Sequence, residues 1–484
     1  MAKSVRKNYF YNLLYEIVVL VVPLITAPYL SRVLGVNGVG VSSYTLSIVS
    51  YFILVANVGV SSYGSREIAM ARDSKKDMSK TFWELFILKI FTGLFSLAGY
   101  LFFLLVQTKY NIIFQILALN IVANIFNITF LYQGIEHYKM ISIRNIIVKI
   151  TCTIAVFIFV KEKNDVDIYI LIHSISLILS SLILWTHVRK IVEKVPMREL
   201  RVFRHFKNTL IYFLPQIATQ IYTVLDKIMI GLITHEEAEN GYYEQAHKLI
   251  HVCQTVLTSL NSVMYPRMSY LFKNKKFDEM KLRVNKSLDF DQLIGIPMVI
   301  GLVCISYGFV DWYFGPGFER VKLLLVLFAP ILLIIAFSNC IGSHILNPIG
   351  KRLQSTKVLF VGAGVNLVAN FILIPRIASV GATIASVLAE LVITIIYFRM
   401  AKDYLSFKNV TKNTYQYIIA ALFMGGIILL MLFNMKMSAL TTLLEIVSGV
   451  TIYFLILIMF KNNLVMEGLN LVKKRINKLS TKIE

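Results

Sequence analysis

Apolar runs of about 20 residues recur from one end of this chain to the other, and each is long enough to cross the ~30 Å hydrocarbon core of a bilayer as a helix. A β-barrel would show short segments of alternating hydrophobicity instead. Hydrophobic residues make up 57% of the 484 positions and charged residues only 16%, which is more apolar surface than a soluble domain hides. The sequence therefore predicts an all-α polytopic membrane protein.

These runs predict about fourteen transmembrane helices, and an even number places both termini on the same side of the membrane. The predicted spans are 12–34, 41–62, 81–106, 111–133, 143–160, 166–187, 208–233, 242–265, 288–310, 321–345, 355–374, 380–399, 414–434 and 438–460.

The distribution of Lys and Arg predicts which side the termini occupy. Most of the 49 basic residues lie at the two termini or in the loops that share their side, and few lie in the opposite loops. Because basic loops stay in the cytoplasm, we expect both termini to be cytoplasmic and the protein to be a multi-pass protein of the cytoplasmic membrane. The net charge of +22 then reflects topology and contact with anionic lipid, and it does not indicate nucleic-acid binding.

A basic segment after the sixth predicted span separates the first six spans from a second group of six and a final pair. We predict an N-lobe at 1–187, a cytoplasmic linker at 188–207, a C-lobe at 208–402, a helix pair at 403–461 and a basic amphipathic tail on the inner membrane surface at 462–484.

The seventh predicted span carries a polar stripe that contains a charge. At 100° per residue, one face of this helix collects Gln216, Gln220, Thr223 and Lys227, while Asp226 lies on the flank. A charge at the bilayer centre costs roughly 2.5–3.5 kcal/mol on insertion scales, so it normally faces a wet cavity or a partner. The alternative is that Asp226 and Lys227 neutralise their surroundings or mark the end of the helix.

Further charged residues lie in or beside other predicted spans. Glu244 and Lys248 share a face of the eighth span and are four residues apart, a spacing that also allows a local ion pair. We predict a cationic cavity suited to an anionic, sugar-bearing substrate. Its predicted lining is Lys227, Lys248, Lys89, Arg32, Arg66, Gln216, Gln220 and Thr223.

Four acidic residues at membrane depth are candidates for coupling transport to an ion, or alternatively for pairing with a neighbouring cation. They are Asp226, Glu244, Glu390 and Glu16. The chain has neither a Walker loop nor a dinucleotide-binding glycine pattern, and its His and Cys residues lack metal-ligand spacing. We therefore expect no cofactor, no metal and no enzymatic activity.

Three stretches of the sequence resemble a known transporter family. They are PLITAPYLSRVLGVNGVGVSSYTLSI (23–48), LDKIMIGLITHEEAENGYYEQAHKLI (225–250) and the segment 347–390. In them the chain resembles the oligosaccharide flippases of the multidrug/oligosaccharidyl-lipid/polysaccharide (MOP) exporter superfamily, and the Wzx-type polysaccharide repeat-unit transporters in particular.

The resemblance implies two six-helix lobes related by a pseudo-two-fold axis, a C-terminal helix pair, and alternating access around a central cavity. It implies an undecaprenyl-pyrophosphate-linked oligosaccharide as substrate. Membrane lipids, a polysaccharide polymerase and assembly proteins are the implied partners of a monomer. A lipid II flippase, a multidrug efflux transporter and a non-transporting scaffold for capsule assembly stay open as alternatives, although a cationic cavity disfavours cationic drugs.

Overall fold

The computed structural model describes the backbone of residues 2–258 and 261–470. Side chains are described in this range except at 2–13, 16, 222, 261–263, 266, 407 and 409. The described backbone contains helices and loops and no strand, which confirms the predicted all-α class.

The chain forms two compact units, Met1–Glu244 and Gln245–Glu484. The division lies within a helix that follows the seventh predicted span. The lobes predicted at 1–187 and 208–402 use a different boundary, and their assignment as lobes stays a prediction.

The first unit contains eight helices and the first part of a ninth. They are α1 (Ala2–Asn57), α2 (Val60–Ala71), α3 (Lys75–Val106), α4 (Asn111–Phe126), α5 (Thr129–Gly134), α6 (Tyr138–Phe159), α7 (Val166–Ile191), α8 (Phe206–Thr234) and α9 (Glu237–Thr258).

The second unit begins within α9 and continues with helices of very different length. They are α10 (Asn261–Lys273), α11 (Phe277–Phe314), α12 (Arg320–Phe328), α13 (Ile331–Ile341), a π-helical turn (Gly342–Leu346), α14 (Arg352–Met400), α15 (Phe407–Val410), α16 (Thr414–Asn434) and α17 (Ala439–Met459). Helical backbone is also present at 463–470, and the rest of the predicted basic tail, 471–484, lies outside the described residues.

Within the described part of the chain, ten helical segments are long and apolar enough to cross a membrane, or eleven when the bent segment 197–234 is included. Two of these segments are too long for one crossing. At ~1.5 Å per residue, the 56 residues of α1 and the 49 residues of α14 each exceed twice the length that a 30 Å core requires.

Both long helices break where the sequence predicts that two spans meet. Helix α1 leaves helical geometry at Gly35, with φ 68° and ψ 178°, a conformation that glycine adopts without a Cβ clash. Helix α14 breaks at Ile377 and Ala378, two residues after Pro375, which cannot donate a backbone hydrogen bond. Each therefore has the length and the break that two consecutive membrane crossings require.

Helix α9 covers most of the predicted eighth span, but it is not among the ten apolar segments. It carries Glu237, Glu239, Glu244, His247 and Lys248, which lower its hydropathy below that of a lipid-facing helix. A helix of this composition needs other protein groups around its polar face when it lies in a membrane.

Large apolar side chains cover the outside of the helices. On α3, for example, Phe95 is 75% exposed, Phe102 is 68% exposed and Leu105 is 82% exposed. A water-soluble monomer rarely exposes such a continuous apolar surface. The exposure is consistent with lipid as the solvent of these helices.

Glycines bring two helical hairpins of the first unit into backbone contact. A Cβ atom on Gly40 would lie 1.7 Å from the backbone oxygen of Glu237, and one on Gly241 would lie 2.2 Å from that of Val36. On Gly231 it would lie 2.4 Å from the ring of Tyr44. These glycines therefore allow α1 to approach α8 and α9 more closely than any other residue would.

The segment before α8 is anchored to the first unit by a buried carboxylate. Glu84, which is fully buried, accepts a hydrogen bond of 2.7 Å from the Arg201 backbone N–H and forms an ion pair of 2.7 Å with the Arg204 guanidinium. It also lies 2.9 Å from Nε2 of His205, whose Nδ1 is 2.9 Å from the Tyr63 hydroxyl. The predicted linker thus ends in a defined structure on α3 and α2.

In the second unit, the C-terminal helix pair packs on α11. The buried Asp289 of α11 accepts hydrogen bonds from the Tyr417 hydroxyl and from the Asn413 amide, both at 2.9 Å. The Tyr453 hydroxyl of α17 donates to the backbone oxygen of Leu293 at 2.8 Å. The pair α16–α17 is therefore joined to α11 by polar contacts as well as by apolar packing.

We expect Gly40→Ala to destabilise the protein, because the added methyl group must separate the backbone of α1 from that of α9. Overpacking of this kind costs about 1–3 kcal/mol. The measurement is the Tm of the detergent-purified protein. Gly364→Ala is the matched control, since a Cβ atom there meets nothing within 4 Å. An equal Tm for the two variants would contradict the close approach.

We expect Glu84→Ala to release the segment 197–205, because His205 and the Arg201 N–H lose their buried acceptor. Leaving such a buried group without a hydrogen-bond partner costs about 1–3 kcal/mol of stability. The measurement is the rate of trypsin cleavage after Arg201 and Arg204. Glu193→Ala serves as control, since it removes only the exposed Lys75–Glu193 ion pair of 3.1 Å. Equal cleavage rates in the two variants would argue against the anchor.

Candidate functional site

The polar face of α8 lies against α1 in the first unit. The Gln220 amide donates to the Ser50 hydroxyl at 2.5 Å, and the Tyr51 hydroxyl approaches the backbone oxygen of Gln220 at 3.3 Å. The Gln216 amide approaches the Ser62 hydroxyl at 3.3 Å. Ser50 and Tyr51 belong to α1 and Ser62 belongs to α2, so the polar stripe of α8 faces both of these helices in a polar seam.

An ion pair lies further along the same seam. Nζ of Lys227 is 2.7 Å from Oε2 of Glu244, which is on α9. The Ser43 hydroxyl of α1 donates to the same Oε2 atom at 2.8 Å. The Lys227 and Glu244 side chains keep 15% and 14% of their surface exposed, so the pair is shielded but can be reached.

The neighbouring acid points elsewhere. Asp226 is 1% exposed, and its Oδ2 accepts a hydrogen bond of 2.5 Å from the Tyr243 hydroxyl on α9. Asp226 and Lys227 are adjacent in the chain, but consecutive helical residues point about 100° apart. The two charges therefore have different surroundings, with one buried and the other accessible.

The remaining predicted residues of the first unit have varied locations. Arg66, at the exposed side of α2, donates to the Tyr212 hydroxyl at 3.0 Å, close to the start of the polar seam. The Thr223 hydroxyl donates to the backbone oxygen of Thr219 at 2.8 Å. Arg32 is exposed on α1, and the Glu16 side chain lies outside the described residues.

Lys89 is used within the first unit. Its side chain is 1% exposed, and Nζ donates to the backbone oxygen of Asn127 at 2.7 Å. Asn127 caps the C-terminal end of α4, where carbonyl groups carry partial negative charge. The surroundings of Lys89 therefore favour a structural role for this residue. Its contact with a substrate stays a prediction.

Two predicted residues belong to the second unit. Lys248 is partly buried on the later part of α9, and Glu390 is 6% exposed on α14. Whether they share a cavity with Lys227 stays a prediction. Among the described residues, His, Cys, Asp and Glu side chains form no cluster of three or more that could hold a metal ion.

Two groups at this site are absent from the predicted lining. Ser43 and Tyr243 contact the acids Glu244 and Asp226. Ser43 belongs to a run of small polar residues in the second predicted span, so its face has a weak sequence signal. Tyr243 has no such sequence signal, because its contact with Asp226 depends on how α9 packs on α8.

A second polar cluster joins the loop after α3 to the start of α9. Nζ of Lys109 lies 2.9 Å from Oε1 of Glu237, and the Tyr110 hydroxyl donates a hydrogen bond to the same oxygen. The Tyr110 hydrogen bond and the Lys109 ammonium hold the pKa of the Glu237 carboxyl below its ordinary value. Burial raises the pKa of Tyr110 to about 12. The cluster lies beside a cavity of about 70 Å³ that Gly40, Tyr44 and other residues also line.

Comparison with known proteins gives matches over most of the chain. The family model described as "Polysaccharide biosynthesis protein" matches residues 5–272. A "Putative O-antigen transporter" of Escherichia coli (strain K12) is 24% identical over 396 residues, which are 81% of this chain and 95% of that relative.

Two solved structures are similar in fold. The structure titled "Lipid II flippase MurJ, inward closed conformation" has a TM-score of 0.75 at 16% identity, and the match covers 94% of this chain and 100% of that one. An inward-facing multidrug resistance MATE family transporter of the MOP superfamily has a TM-score of 0.59 at 12% identity, covering 79% of this chain and 97% of that one.

These matches confirm several expectations drawn from the sequence. They agree with the resemblance to Wzx-type flippases of the MOP superfamily. Together with the apolar helices, they identify a multi-pass transporter of the cytoplasmic membrane that is not an enzyme.

We expect the Lys109–Tyr110–Glu237 cluster to stabilise the protein above pH 4.5, the ordinary pKa of a glutamate, and to weaken as the pH falls through the lower pKa of the folded state. The measurement is the Tm of the wild type minus that of Glu237→Gln at several pH values. The difference should be positive near pH 7 and shrink in acid. A difference that does not change with pH would contradict the contribution of the carboxylate charge.

Proposed function

We propose that this chain, which belongs to the polysaccharide biosynthesis protein family, is a flippase. It moves lipid-linked oligosaccharide repeat units from the inner to the outer leaflet of the membrane. The observation that carries the proposal is the accessible Lys227 ammonium, which lies at the end of an amide- and hydroxyl-lined seam within membrane helices. The relative named as an O-antigen transporter, which matches along most of its own length, supports the same substrate class.

The proposed substrate has an undecaprenyl-pyrophosphate anchor. Its pyrophosphate is an anion that Lys227 would bind, with Lys248, Lys89, Arg32 and Arg66 as further proposed cations. The sugars present many donors and acceptors, which suits Gln216, Gln220 and Thr223. The polyprenyl chain remains in lipid, so only the polar headgroup has to cross the protein.

The proposed topology has fourteen spans with both termini in the cytoplasm, arranged as two six-helix lobes and a C-terminal pair. Four of these spans are the two halves of α1 and of α14, as their lengths and breaks suggest. Helices α8 and α9 supply the seventh and eighth spans. The concentration of Lys and Arg in the loops on the side of the termini supports the orientation.

Transport in this proposal follows alternating access, in which the lobes rock around the substrate. A headgroup of about −2 charge that leaves a negative interior gains on the order of 4–5 kcal/mol per 100 mV of membrane potential, at ~2.3 kcal/mol per charge. The potential therefore favours export. The acids Asp226, Glu244, Glu390 and Glu16 are the proposed positions for coupling the return step to H⁺ or Na⁺.

The alternative functions differ in what the site must hold. Lipid II is also a pyrophosphate-linked substrate, and similarity to a lipid II flippase is a similarity of fold at 16% identity. The proposed cationic cavity disfavours multidrug efflux of cations, because like charges repel. A scaffold for capsule assembly would need no accessible lysine in its helices. A polymerase and assembly proteins remain the proposed partners of a monomeric transporter.

We expect Lys227→Gln to abolish transport while expression and Tm stay near those of the wild type, because the substitution removes the ammonium that would contact the phosphate but keeps an amide donor for Glu244 on a side chain that is one bond shorter. The measurement is the amount of lipid-linked repeat unit left on the cytoplasmic face in a deletion strain that carries the variant. Lys76→Gln is the control, since Lys76 is exposed at the start of α3.

Two outcomes would count against the proposal. Normal transport by Lys227→Gln would remove this residue from the mechanism. A deletion strain that becomes sensitive to drugs without accumulating lipid-linked repeat units would favour multidrug efflux instead.

A further inference from the structure

We propose that the Glu244 carboxylate occupies the position of the substrate phosphate while the transporter is empty, and that the substrate displaces it from Lys227 on binding. This inference rests on the proposed function, since it assumes that Lys227 binds the phosphate. It adds a role for Glu244 that differs from ion coupling: this residue is an internal competitor that sets how tightly the substrate is held.

The geometry of the pair resembles an occupied anion site. Two donors from different helices, the Lys227 ammonium and the Ser43 hydroxyl, converge on the single oxygen Oε2 of Glu244 at 2.7 and 2.8 Å. A phosphate oxygen also accepts hydrogen bonds from ammonium and hydroxyl groups. The carboxylate oxygen therefore lies where a phosphate oxygen would satisfy the same two groups.

The pair is also accessible enough for exchange. Lys227 and Glu244 keep 15% and 14% of their side-chain surface exposed, whereas the neighbouring Asp226 is 1% exposed and is bound by Tyr243. A sealed pair would be a structural contact that no substrate could reach. Partial exposure within membrane helices allows an incoming anion to meet Lys227 before Glu244 has left.

A competitor solves a physical problem of this transport cycle. An empty site with an unpaired ammonium would be costly within the membrane, and the transporter has to return empty after releasing its substrate. The same ammonium without a competitor would also hold the pyrophosphate strongly and slow its release. Glu244 neutralises Lys227 during the return and lowers the net affinity to a value that permits turnover.

The proposal predicts that the removal of a charged side chain, Glu244, makes the protein bind pyrophosphate more tightly. The probe is inorganic pyrophosphate, and its Kd is measured by calorimetry on the full-length protein in nanodiscs at fixed salt. We expect Glu244→Gln to bind pyrophosphate about tenfold more tightly than the wild type, a change of ~1.4 kcal/mol. Its transport turnover should fall, because release and empty return become slow.

Two controls separate competition from a general loss of negative charge. Glu236→Gln removes an exposed acid close by in the chain and should leave the Kd unchanged. In a Lys227→Gln background, Glu244→Gln should tighten binding much less, because the proposed competition is chiefly for the Lys227 ammonium. If Glu244→Gln fails to fold, Glu244→Asp replaces it, since the shorter side chain weakens the pair and should give a smaller gain in affinity.

The outcomes distinguish this inference from the proposed function. If Lys227→Gln weakens pyrophosphate binding but Glu244→Gln does not tighten it, the competitor role is wrong and the substrate site stands. If Glu236→Gln tightens binding as much as Glu244→Gln, the effect is general electrostatics and the competitor role is again wrong. If Lys227→Gln leaves the Kd unchanged, the proposed substrate site itself fails.

Discussion

A charged side chain inside a membrane is stable only where other groups of the protein meet it, and the helices of the first unit are arranged around that requirement. Lys227 meets Glu244 and Asp226 meets Tyr243, so two adjacent side-chain contacts join α9 to α8. Ser43 adds α1 to the same contact. A helix as polar as α9 can lie among apolar helices because its charges are satisfied in this way.

Close backbone approach makes these contacts possible. Gly40 and Gly241 remove the side chains that would separate α1 from α9, and Gly231 makes room for Tyr44. Without such contact the Ser43 hydroxyl would not reach the Glu244 carboxylate. The close packing at the glycines and the pairing of the charges therefore depend on each other.

The same physics distinguishes charges that are sealed inside the protein from charges that stay partly accessible. Lys89 and Glu84 are almost completely buried, and their partners are backbone groups or side chains of the same unit. Lys227 and Glu244 are paired as well, but they keep part of their surface exposed. The proposed transport of anionic headgroups favours charges of this second kind, because a substrate can reach them without a rearrangement of the helices.

Much of the architecture was predictable because it depends on local composition. Runs of apolar residues specify helices wherever they occur in a membrane, so the helical class follows from the sequence. The sequence also predicts the positions at which α1 and α14 break, because a glycine and a proline lie between the predicted spans there. The 3.6-residue period also predicts that Gln216, Gln220 and Lys227 share a face of α8, because that relation lies within one helix.

The sequence by itself determined the class of fold, the polar stripe and the resemblance to polysaccharide flippases. Only the tertiary structure decided the partners of each charge. The sequence does not indicate that Glu244 pairs with Lys227 on another helix, or that Tyr243 of α9 binds Asp226. The physical reason is that a pairing between helices depends on their packing and rotation, which side chains from distant parts of the chain set jointly.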